Sequence, residues 1–176
     1  MRLVLAALFF VLVAAPKVLL AQNAGGADGD KWKQIVVLQS TREDVERLFG
    51  KPKSDSHLPV YDLEGGRLQI DYNIFHNCEG GDFCKTGDDC GWLVPAWTVL
   101  EVSYSPDPLP KFSSLNLDLT KFEKDFDTHS HVIYTSNEEG VAYTVYRPRG
   151  TLSSIRYFPS SRFNYLRCPN KPKESP

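Results

Sequence analysis

Apolar positions in the first half of the chain change period twice. In QSTREDVERLFGKP, Val45, Leu48 and Phe49 recur at i, i+3 and i+4, which makes one apolar helical face. Ser40 with Glu43, or Thr41 with Asp44, offers a capping box for the first free N–H groups. Gly50 is placed to take a left-handed C′ position, and Pro52 prevents continuation, so the spacing predicts a short helix with both ends marked. The period then becomes two. Val60–Leu63 and the alternating Leu68, Ile70 and Tyr72 flank Gly65-Gly66 and predict a β-hairpin. TVLEVSYSP, residues 98–106, predicts a further strand.

The second half repeats that order. In LDLTKFEKDF, Thr120 stands three residues before Glu123, and Phe122 and Phe126 lie at i, i+4, which predicts a second capped helix. IYTSNEEGVAYTV predicts a hairpin turning near Asn137–Gly140, and TLSSIRYFP matches TVLEVSYSP in length. Tyr61 aligns with Tyr134, Tyr72 with Val145, Val102 with Ile155, Tyr104 with Tyr157 and Pro106 with Pro159. The expectation is a duplicated helix–hairpin–strand unit: repeat one over 32–106, carrying an insertion at 73–97, and repeat two over 115–159. The expected fold class is α+β, an antiparallel sheet with the helices packed on one face. Leu68, Ile70, Val102, Tyr104, Val141, Tyr143, Ile155 and Tyr157 then face the helices. Gln69, Asp71, Glu101, Ser103, Thr144, Ser154 and Arg156 form a polar opposite face.

The N-terminus changes the picture of compartment. One Arg precedes the aliphatic run Leu3–Ala15, Pro16 and Lys17 interrupt it, and apolar character stops at Ala21. This reads as a signal peptide over 1–21, weighed against a retained signal anchor, and predicts a secreted or periplasmic protein without a membrane span in its mature chain. Loss of Arg2 and Lys17 moves the formal charge from −2 to −4. Residues 22–31 read as a flexible lead-in, 32–168 as a single domain and 169–176 as a flexible tail. Charges of both signs are dispersed, so there is no basic footprint for nucleic acid.

Three of the four cysteines fall in CEGGDFCKTGDDC: Cys78, Cys84 and Cys90, with Cys168 far downstream. Export favours disulfides, and C-x5-C departs from the short spacing of structural zinc sites. Three connectivities are open; the working expectation is Cys84–Cys90 closing a tight loop and Cys78–Cys168 pinning the C-terminal segment. Glu79, Asp82, Asp88 and Asp89 lack the alternating oxygens and distal Glu of a calcium loop, so they read as solvated charge. His129 and His131, with Asp125 and Asp127 nearby, are the alternative metal pair, because residues two apart share a face in extended chain. No nucleophile elbow, H-E-x-x-H, P-loop or dinucleotide fingerprint occurs.

TREDVERLFGKP followed by a Tyr-containing hairpin resembles the motif of the small outer-membrane assembly lipoproteins (SmpA/OmlA, BamE). Two such units in tandem resemble the β-lactamase inhibitor protein fold. Trp32–Ile35, Trp92–Thr98 (W-x-VP-x-x-T) and Cys168 are similar to an uncharacterised secreted bacterial protein family. The resemblance speaks to the scaffold and not to activity, and the chain lacks the lipid-anchor cysteine of the assembly lipoproteins, which argues against membrane tethering.

The function expected is a non-catalytic binding or envelope-scaffold module without a cofactor, whose partner is another exported or envelope protein. Its contact residues are Phe75, Phe83, Asp88, Asp89, Trp92 and Trp97 in the insertion, with core-edge packing as the alternative role for the two tryptophans. The competing expectations are a metal-dependent hydrolase built on His129 and His131, and a purely structural protein.

Overall fold

The computed structural model describes residues 31–53, 56–75, 78 and 91–168. Segments 1–21, 22–30 and 169–176, and Phe83, Cys84, Asp88, Asp89 and Cys90, lie outside the described residues. Among the described residues, seven strands form one antiparallel sheet: β1 (Val60–Leu63), β2 (Gly66–Tyr72), β3 (Val99–Pro106), β4 (Glu123–Asp127), β5 (His131–Ser136), β6 (Val141–Tyr146) and β7 (Thr151–Tyr157). Their order across the sheet is β1-β2-β3-β7-β6-β5-β4.

Among the described residues there is one α-helix, α1 (Arg42–Phe49), beside short 3₁₀ turns. The molecule is therefore largely β, and this corrects the α+β expectation. The capping box forms on Thr41 and Asp44: Thr41 N–H donates to Asp44 Oδ2 at 2.9 Å, and Asp44 N–H donates to Thr41 Oγ1 at 3.4 Å. Ser40 instead accepts from Val36 N–H. Gly50 ends α1 at φ 79°, ψ −176° rather than in the left-handed helical well.

The second expected helix does not exist. Asp118, not Thr120, accepts the Thr120 N–H and caps a three-residue 3₁₀ turn (Leu119–Lys121), after which Glu123–Asp127 is strand β4. The i, i+4 spacing of Phe122 and Phe126 fits period two as well as period 3.6, so it does not discriminate. A helix confined between Thr120 and the bend at Thr128 is too short to stabilise itself, whereas as a strand it satisfies the edge of β5. Its charged residues and a bulge between Lys124 and Phe126 suit an outer edge.

The core lies between α1 and one face of β1, β2 and β3. Val45, Leu68, Ile70 and Val99 are wholly buried there, with Tyr61, Tyr72, Val102, Trp32 and Ile35. The Trp32 indole stacks on Tyr104 of β3 at 4.7 Å and meets Tyr157 of β7 at 5.7 Å, so one aromatic side chain locks the two central strands. On the other half of that face, Phe112 stacks on Tyr134 at 5.2 Å and Phe122 meets Tyr143 edge-on.

The halves correspond in register. Val102 pairs with Tyr157, Ser103 with Arg156 and Tyr104 with Ile155, so residues 53 apart in sequence exchange places about the Ser103–Arg156 pair. A bulge falls between Asp71 and Tyr72 in β2 and between Thr144 and Val145 in β6, positions 73 apart. Beyond the bulges Tyr72 pairs with Val99, and Val145 with Leu152. The approach to the sheet corresponds too. Arg42 N–H donates to Trp97 O before α1, and Phe112 N–H donates to Gly150 O before a 3₁₀ turn (Phe112–Leu115). That turn, not LDLTKFEKDF, stands where α1 stands in the first half. Lys111 precedes it without a side-chain cap, and Asn116 in a left-handed conformation ends it.

Candidate functional site

The connection between β2 and β3 leaves the sheet at Asn73 and returns at Thr98. Asn73 is 1 % exposed and holds both stems. Its N–H donates to Thr98 O and its carbonyl accepts from Trp97 N–H, while Nδ2 donates to Phe75 O at 2.6 Å and Val94 O at 2.9 Å. Sequence reasoning missed this residue. The available signal was an amide side chain directly following an alternating strand, where it can substitute for missing ladder bonds.

A disulfide joins Cys78 to Cys168, with Cα atoms 5.4 Å apart and a sequence separation of 90. Cys168 is buried. Around it, Trp92 and Arg167 form an isolated β-bridge, Leu93 N–H donates to Leu166 O, and Cys168 N–H donates to Gly91 O. The C-terminal segment thus forms a short, stapled ladder with the returning stem.

The two tryptophans have different roles. Trp92 is 8 % exposed, with the Arg167 guanidinium 5.1 Å from its ring centre, so it packs the ladder. Trp97 is 42 % exposed, with its ring edge toward Tyr72 at 6.2 Å and the Arg42 guanidinium 4.9 Å from it. Phe75 is half-buried beside Gly91. Ile74 and Leu93 join Trp97 as exposed apolar side chains on the two stems.

His129 and His131 do not share an extended face. Thr128–Ser130 bends back, with Thr128 Oγ1 accepting His131 N–H at 3.0 Å, and β5 begins only at His131. His131 leans on Tyr146, and Ser130 Oγ lies 3.0 Å from its Nδ1. Among the described residues, no three His, Cys, Asp or Glu side chains gather as a metal site.

The polar sheet face carries Asp62 between Lys53 and Arg67 on its β1 side, and a second charged cluster across β2, β3 and β7. Asp71 and Glu101 are direct cross-strand partners, and Arg156 Nε lies 3.9 Å from Glu101 Oε2. Burial pushes the Asp71 carboxyl above its ordinary range, with His57 opposing. Burial likewise raises Glu101; Arg156 opposes that shift and Asp71 adds to it. The pair is a tension between like charges partly relieved by Arg156.

No family model matches the chain, and no curated protein matches it. Among solved structures, it is similar to a cysteine-rich secretory protein (SAV1118) from Staphylococcus aureus subsp. aureus Mu50, at 9 % identity and a TM-score of 0.36. That match covers 77 % of this chain and 50 % of the other, so the chain spans about half that protein's length. No helix among the described residues is long and apolar enough to cross a membrane. The disulfide fits an extracellular protein.

Proposed function

We propose that this protein is an exported, non-catalytic binding or envelope-scaffold module whose contact surface is the stapled connection over residues 73–97. The observation that carries the reading is the Cys78–Cys168 bond, which ties that connection to the C-terminal segment while Ile74, Leu93 and Trp97 stay exposed on its stems. Covalent and hydrogen-bonded constraint removes much of the ordering cost that a mobile binding loop incurs on association. The corresponding connection in the second half is only the tight turn between Tyr146 and Thr151. On this reading the scaffold is duplicated, and the shared register and bulges support that; the likeness to tandem assembly-lipoprotein units belongs to the same proposal. The secretory or periplasmic location rests on the signal-like N-terminus and the disulfide.

The test uses the mature protein as bait in the exported fraction. A specific partner should be captured and then lost on Ile74→Asp/Leu93→Asp, but kept by Val60→Thr at the far edge of the sheet. Capture that survives the paired Asp substitutions in a folded variant would sink the reading.

A further inference from the structure

We propose that the second half carries a separate binding site, at the opposite end of the sheet from the stapled connection, for a small planar aromatic carboxylate. The argument starts from Trp97. Its counterpart by backbone hydrogen bonding is Gly150: Thr41 bridges Thr98 and Lys111 bridges Thr151, and the residue before each bridge partner accepts the next N–H, from Arg42 and Phe112 respectively. Both residues hold the same left-handed backbone, φ 65° at Trp97 and 59° at Gly150. In the first half an indole therefore fills the space between Tyr72 and Arg42. In the second half glycine leaves that space open.

The opening is real. A Cβ built on Gly150 meets no atom within 4 Å. A cleft of about 630 Å³ lies there, and its walls include Val145 and Phe112, the counterparts of Tyr72 and Arg42, with Leu117 and Leu119. Its volume falls in the range of small-molecule sites. Phe112, held by stacking on Tyr134 at 5.2 Å, contributes an aromatic side chain to the lining where the first half has the Arg42 guanidinium.

The polar groups specify the rest of the ligand. Lys111 and Arg149 are the charged residues lining the cleft, and Ser113 and Asn116 add neutral hydrogen-bonding groups. Lys111 Nζ donates a hydrogen bond to Arg149 O at 2.8 Å, which holds the ammonium beside another lining residue while an ammonium has three donors in all. An apolar slot of indole position with two cations and no acid suits an aromatic ring that carries a carboxylate.

Amide ¹H–¹⁵N spectra of the full mature chain, titrated with indole-3-acetate, test this. Tryptamine keeps the ring and reverses the charge; cyclohexylacetate keeps the acid and removes the planar ring. Saturable shifts are expected within 111–119 and 145–150 for indole-3-acetate, with affinity at least about tenfold weaker for the other two. Gly150→Trp, which supplies the missing indole, should abolish them. Should that variant misfold, Lys111→Gln, at an exposed position, should weaken binding several-fold with the fold intact. Absence of saturation up to about 10 mM, equal response to all three probes, or an affinity unchanged in whichever of the two variants folds overturns the proposal. This outcome is independent of partner capture by the stapled connection, because neither substitution touches residues 73–97.

Discussion

Ser103 and Arg156 face each other at the centre of the sheet, and the two halves of the chain are disposed about that pair: Val102 and Tyr104 on one strand meet Tyr157 and Ile155 on the other. The arrangement sets β1 and β4 at the outer edges and brings the stem of each half's connection to opposite ends of the sheet. It also puts Trp32 over the seam, where it holds Tyr104 and Tyr157 together.

Trp97 is kept in a left-handed conformation that costs a non-glycine residue about 1–2 kcal/mol, so its contacts with Tyr72 and Arg42 must offset that strain. Trp97→Gly recreates the second-half arrangement. Because relief of strain cancels part of the lost packing, net destabilisation of about 1–2 kcal/mol is expected from urea unfolding, well below the cost of removing a buried Trp.

Asn73→Ala should be costlier than its small size suggests. It strands the buried carbonyl of Val94 and removes the side-chain tie between the stems while the backbone bonds to Thr98 and Trp97 remain, and a loss of about 2–3 kcal/mol is expected. Hydrogen exchange should show the amides of Trp97 and Leu93 losing protection, while those of β6 keep theirs.

Cys78→Ser/Cys168→Ser opens a closure of 90 residues, nominally worth about 4–5 kcal/mol through the unfolded chain. A drop of that order in the unfolding free energy, with the sheet's far-UV circular dichroism retained in buffer, is the expected result. A drop below about 1 kcal/mol would mean that the ladder of Trp92, Leu93 and Cys168 holds the C-terminal segment without the bond.

Asp71 and Glu101 predict a pH dependence of defined sign. Both folded carboxyls are shifted upward, chiefly by burial, so the protonated forms fit the fold better. Their stabilising contribution is complete below the ordinary carboxylate range and is lost as pH rises through the raised folded values. Asp71→Asn should therefore stabilise at neutral pH, by only about 0.3–0.5 kcal/mol because the pair is half-exposed and screened. The gain should shrink as pH falls through the raised folded value and vanish at an acidic pH below the ordinary carboxylate range. Thermal melts of both proteins at the two pH values check it.

Asp44→Ala removes the reciprocal half of the Thr41 cap, and about 1 kcal/mol should be lost from α1. The magnitude stays modest because the wholly buried Val45 still anchors the helix on the sheet.

The sequence by itself determined the pieces whose patterns have a single solution. Thr41 and Asp44 at cap spacing, with Val45, Leu48 and Phe49 on one face, permit only a short helix. Leu68, Ile70 and Tyr72 alternate too cleanly to be anything but strand, and their burial follows. Phe122 and Phe126 carried a spacing common to helix and strand, and the exposed edge of β5 decided the matter by offering backbone partners. The candidate surface divides the same way. That Trp92 packs and Trp97 shows itself depends on Arg167 and the Cys78–Cys168 bond arriving from distant sequence. The cleft at Gly150 was legible to no local pattern at all. A glycine becomes an open slot only when the backbone pairing gives it, at the foot of β7, the place that Trp97 holds at the foot of β3, and that pairing is a property of the assembled sheet.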